Sequence, residues 1–94
     1  MESSEIISEI EELVKSQSGG NYSKWMIGRT NDSENSKTKR GEPYSWRDWD
    51  ANSKEDAENI ESHFIDNGMR QDSESYGSAD FVYVFYIGSP QDEN

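Results

Sequence analysis

Glu61 is the residue of this chain best placed to do chemistry. It lies in the run SKEDAENIESHFIDNG, Ser53 to Gly68, where Ala57, Ile60, Phe64 and Ile65 recur at helical spacing and mark one apolar stripe. Glu61 stands inside that stripe, four residues after Ala57 and four before Ile65. A carboxylate on a face meant for burial has two readings. Either it sits at the edge of the stripe, bending to water or pairing with a nearby base, or it lines a cleft, half-buried, where it holds a divalent metal or moves a proton. Perturbed carboxylates concentrate at sites of the second kind. His63, the one histidine, points away from Ile60 and Ile65 and reads as solvated. There is no cysteine, which excludes a thiolate nucleophile, a thiolate metal site and any disulfide. The sequence also carries no phosphate-cradling glycine loop, His/Asp/Ser triad or His-rich metal pattern.

The elements that must position Glu61 can be read in outline. Ser53 is an N-cap, with Asp56 where a capping box has Glu; Glu55 and Asp56 suit the positive end of the helix dipole. Gly68 takes the position after the last periodic residue, where a left-handed backbone is cheapest for glycine. Ahead of this helix, Ser4 to Lys15 is amphipathic, with Ile6, Ile7, Ile10, Leu13 and Val14 on one side and Glu5, Glu9, Glu11 and Glu12 mostly on the other. It is a core-packing helix, or alternatively one that binds a partner. Gly19 and Gly20 stop it.

Tyr22 to Thr30 reads as a strand, its Trp25, Met26 and Ile27 leading to Gly28, which permits a tight backbone after the strand. Ser33 to Arg40 would make a helix with almost no apolar face. Tyr44 to Trp49 alternates as a short strand or extended segment. Its aromatics Tyr44, Trp46 and Trp49 read as core and rim packing. Met69 to Asp80 is a polar loop, and Phe81 to Ile87 (FVYVFYI) is a continuous apolar run that predicts a central strand covered on both faces, or at least partly on the second. Residues 89–94 are expected to be a disordered tail. The prediction is one domain over residues 1–94, with the N-terminal helix and Gly-Gly loop occupying 1–20. Its class is α+β: a small antiparallel sheet of about three strands, packed with helices.

Composition narrows the function. At 30% hydrophobic the 94 residues have a thin apolar supply, so three Trp, five Tyr and three Phe must carry much of the core. No apolar run approaches a membrane span and no signal-peptide pattern opens the chain, so a soluble, cytoplasmic protein with no membrane partner is expected. Twenty acids against nine bases give a formal charge of −11. Such a field opposes nonspecific nucleic-acid binding and suits a halophilic cytoplasm or a basic partner surface. Within it lies a basic island: from Lys24 to Arg47, six bases (Lys24, Arg29, Lys37, Lys39, Arg40, Arg47) face three acids (Asp32, Glu34, Glu42), a local +3.

The segment WMIGRTND, then the basic stretch, then Ile60-Glu61-Ser62-His63-Phe64-Ile65 on a helix, resembles the second half of the GIY-YIG nuclease superfamily. The likeness is closest to small single-domain members with a G-x-T-N-D turn (Gly28 to Asp32), an A-x-x-x-E helix (Ala57 to Glu61), a following Gly68-Met69, and a closing strand here read as Val82 to Tyr86. The motif residues at the turn are Met26, Ile27, Gly28, Thr30, Asn31 and Asp32. The resemblance implies Glu61 as ligand to Mg²⁺ or Mn²⁺, an arginine (Arg40 or Arg29) stabilising charge on a phosphoryl oxygen, and a tyrosine such as Tyr86 helping to activate water. The chain also departs from the family. Met26 stands where the family has the Tyr of "YIG", the first "GIY" strand has no counterpart before Trp25, and Asn35 and Ser36 occupy the span expected to carry the arginine. The resemblance therefore implies a degenerate site. Two functions follow: a non-catalytic acidic interaction protein that covers a basic surface, or a divalent-metal-dependent endonuclease acting on nucleic acid.

Overall fold

The structure, a computed structural model, describes residues 2–31, 37–38, 45–72 and 81–87. Helix α1 spans Ser3–Ser18, a 3-10 turn follows at Tyr22–Lys24, and strand β1 is Trp25–Thr30. Strand β2 is Arg47–Asp50, helix α2 is Lys54–Asp66, β3 is Arg70–Gln71 and β4 is Phe81–Tyr86. Asp32, Arg40, Tyr44, the 89–94 tail and most of the Ser33–Arg40 stretch lie outside the described residues; Lys37 and Thr38 are helical.

The fold is α+β, but its sheet is not the antiparallel one of about three strands that the sequence predicts. Among the described residues it has four strands in the order β2-β4-β1-β3, and it is mixed. β4 runs antiparallel to both neighbours, whereas β3 runs parallel to β1, with Met26 opposite Arg70 and Ile27 opposite Gln71. The extra strand begins the stretch expected to be a loop. After α2 the chain reverses through Asn67 and Gly68; the helix carries it from β2 back in the direction of β2, which is also that of β1 because β4 is antiparallel to both. Gly68 takes the positive φ expected of it, 116°.

Register sorts the side chains into two faces. Trp25, Ile27 and Arg29 of β1, Val82, Val84 and Tyr86 of β4, and Arg47 and Trp49 of β2 share one face. The helices cover it: Ile6, Ile10, Leu13 and Val14 of α1 and Ala57, Ile60 and Phe64 of α2 join Trp25, Ile27, Val82 and Val84 in one buried cluster. β4 is the interior strand the sequence predicts, and Tyr83 and Phe85 on its other face are buried as well. The cap of α2 is also as read, with the Ser53 hydroxyl accepting the Asp56 N–H at 3.1 Å. No helix among the described residues is long and apolar enough to cross a membrane.

Candidate functional site

β1 and α2 bring Arg29 and Glu61 together. Arg29 projects from the strand into the helix-covered face, and Glu61 projects from the apolar stripe of α2 toward it. The Arg29 Nε donates to Glu61 Oε1 at 2.8 Å, in a bond 32 residues apart in sequence. Both groups are buried, Glu61 at 4% exposure and Arg29 at 8%. A second acid from the same helical turn flanks the guanidinium, with Glu58 Oε2 at 3.5 Å from Nη1 and its side chain 44% exposed. A carboxylate in an apolar stripe is stable when a cation meets it there with a directed hydrogen bond, because an unpaired buried charge is costly. The arrangement ties helix to strand through Arg29, which meets two acids of α2. As a metal ligand Glu61 would first have to exchange Arg29 for the cation. Among the described residues, no group of three or more His, Asp or Glu is arranged to hold a metal.

Among the described residues, the others implied by the resemblance do not gather at this pair. Tyr86 pairs across the sheet with Trp25 and meets its ring edge-on at 5.3 Å. Arg29 lies four residues further along β1, roughly 13 Å away at strand rise. Met26 is half-buried on the opposite face, Ile27 is in the core, Thr30 is buried opposite Phe81, and Asn31 is exposed. Arg40 and Asp32 fall outside the described residues. His63 is exposed, edge-on to Phe64, with Nε2 3.9 Å from Glu11.

Gly28 has a role the sequence reading missed. It is interior to β1 rather than at its end, and Tyr83 lies across it: a Cβ there would stand 2.5 Å from the Tyr83 hydroxyl and 2.6 Å from its Cζ. Glycine within a strand marks such close approach. The Tyr83 hydroxyl reaches past Gly28 to donate to buried Asp72 at 2.5 Å. Trp46 then stacks on Tyr83 at 4.5 Å and on Phe85 at 5.7 Å, so part of the predicted aromatic packing lies on the face away from the helices. The isolated glycine inside an apolar run was the available signal for this cradle. Nothing local to Asp72 pointed to it.

At the sheet's β2 edge, Glu9 of α1 receives the Trp49 Nε1–H at 2.9 Å and an Arg47 guanidinium N–H at 3.2 Å on the same oxygen. Arg47 lies over the Trp49 ring at 5.2 Å, which is cation–π geometry. Asp48 and Asp50 are exposed beside them. Comparison of the chain with protein-family models, with curated proteins and with solved structures returned no match.

Proposed function

We propose that the chain is a small, non-catalytic interaction module with a degenerate GIY-YIG-like site, working in the cytoplasm, where its acidic surface covers a basic surface of a partner protein. One observation carries this reading. The two groups that a metal-dependent phosphodiesterase would turn toward Mg²⁺ and a phosphoryl oxygen, Glu61 and Arg29, are bonded to each other at 2.8 Å. Mg²⁺ keeps most of its waters and needs carboxylates free to meet it, so a carboxylate committed to a buried arginine is a poor ligand. Met26 in place of the family's tyrosine supports the same reading, as does the formal charge of −11, which repels phosphate and attracts Lys- and Arg-rich surfaces.

The test is an oligonucleotide assay at low salt with Mg²⁺ or Mn²⁺, scoring cleavage and binding together, alongside titration with polylysine. The reading expects neither cleavage nor oligonucleotide binding, and salt-sensitive association with polylysine. Cleavage that disappears in Glu61→Gln would overturn it in favour of a metal-dependent endonuclease, with Glu61 as ligand and Arg29 or Arg40 as electrophile.

A further inference from the structure

β2 is an edge strand, and among the described residues it is hydrogen-bonded on the β4 side alone. The register tells which of its backbone groups face outward. Ile87 N–H donates to Lys24 O at 2.8 Å, so Lys24 and Ile87 form a hydrogen-bonded antiparallel pair. Bonded and non-bonded pairs alternate along such a ladder. Met26–Phe85 and Gly28–Tyr83 are therefore bonded pairs too, and Val82 and Val84 turn their N–H and C=O toward β2. There they meet Trp49 and Arg47. The N–H and C=O groups of Asp48 and Asp50 point away from the sheet.

The side chains at those two positions are exposed, on the face opposite the helices. Asp48 Oδ2 accepts from Trp46 Nε1 at 2.7 Å and Asp50 Oδ1 accepts from Asn52 N–H at 3.0 Å. Each carboxylate is thus held in place while its second oxygen can still accept. The edge is short and its ends are defined: Ser45 (φ 58°) and Asn52 (φ 73°) both take left-handed backbone, turning the chain away on either side. Over these four residues, roughly 13 Å, the outward backbone groups of Asp48 and Asp50 have no strand partner among the described residues.

An open edge is a template for another strand, and charge decides which one. A second copy of this chain would set Asp48 and Asp50 against the same residues, and like charges directly opposite are destabilising. A strand with Lys or Arg at alternate positions would meet them favourably, while its intervening side chains fall on the helix side beside Trp49. Resting on the interaction-module reading above, we propose that the β2 edge binds an extended basic segment of a partner protein by strand addition, with alternate Lys or Arg residues over Asp48 and Asp50.

The probe is a seven-residue peptide alternating Lys and Val, with the same peptide N-methylated on alternate residues and polylysine as companions. Saturation with the alternating peptide is expected to slow amide exchange at Asp48 and Asp50 by about tenfold or more, since a local opening then requires the added strand to leave. Asp48→Lys/Asp50→Lys is expected to weaken the peptide by about tenfold or more, while Glu12→Lys/Asp66→Lys, with the same change in net charge, weakens it far less. The exchange measurement uses the unaltered chain and stays decisive if the double variant does not fold. Equal binding of the N-methylated peptide, or unchanged exchange at Asp48 and Asp50 in the bound state, overturns strand addition. Binding of polylysine without the alternating peptide overturns the docking mode but keeps the interaction reading, and binding of neither overturns both.

Discussion

Replacing Glu61 by glutamine removes one charge and almost no volume, so it isolates the ion pair. In the folded chain Arg29 would keep an oxygen acceptor at Nε, but the bond would lose its charge assistance, a difference of about 1–2 kcal/mol. The guanidinium would keep Glu58 beside it, but that acid is 3.5 Å away and 44% exposed, so water weakens its compensation. Adding that residual cost gives roughly 2–3 kcal/mol for Glu61→Gln, and about 3–5 kcal/mol for Glu61→Ala, which also removes the acceptor. At about 4–8 °C per kcal/mol for a domain of this size, the glutamine variant should melt roughly 8–24 °C lower. Urea unfolding followed by tryptophan fluorescence gives the free energy, and an unchanged m-value shows that the same surface is being exposed. The double variant Arg29→Met/Glu61→Leu removes both charges and should return to within about 1 kcal/mol of the parent or exceed it, because two well-packed apolar residues carry no desolvation cost. If Glu61→Gln instead melts at or above the parent, the pair is not structural. Glu61 would then be a carboxylate held at a cost to stability, as functional groups are.

Four further outcomes are expected. Val84 is fully buried between Ile27 and Arg47 in the register, so Val84→Asp should unfold the domain, a buried charge costing several kcal/mol against a total of roughly 5–10; parental circular dichroism would refute it. Gly28→Ala should cost about 1–3 kcal/mol by overpacking, and Tyr83→Phe should not restore it, because the ring carbon at 2.6 Å remains in the way; an unchanged melt would show that the ring moves freely. The formal −11 should make the melting temperature rise between tens of millimolar and molar NaCl, and a flat or falling midpoint would show that self-repulsion is not limiting. Burial, with the Glu11 carboxylate behind it, pushes the Tyr22 phenol above its ordinary 10.0, so the fold favours the neutral form. That contribution is intact below pH 10 and is lost as pH rises through the raised value. Tyr22→Phe should flatten the alkaline decline, and equal slopes in both proteins would count against it.

Local signals were legible, and their partners were not. Ser53, Glu55, Asp56 and Gly68 specify α2 from within a few residues, and the β-branched and aromatic run of β4 declares a buried strand. Glu61 stood out as a break in periodicity. What compensates it depends on Arg29, across a tertiary contact that periodicity does not encode, and the sequence offered Arg40 as readily. β3 had no signature at all: Arg70 and Gln71 are polar and exposed, and they pair because β1 presents a free edge where α2 delivers the chain. The same holds for Asp72, whose partner Tyr83 is positioned by β4 rather than by any neighbour in sequence. The mixed sheet was illegible for this reason, since strand order is set by crossovers and packing.

The strand order also has a kinetic consequence. β4 comes last of the described strands along the chain yet lies second in the sheet, bonded to β1 and β2 at once. Among the described residues, until Phe81 to Tyr86 is available β2 has no strand to pair with and β1 has only the two residues of β3. During synthesis from the N-terminus, α1 and α2 would hold their apolar faces without a sheet to cover. Closing β1 onto β4 then spans more than fifty residues in a single step. Contacts of such sequence separation slow folding, and this chain should acquire its tertiary structure late and all together.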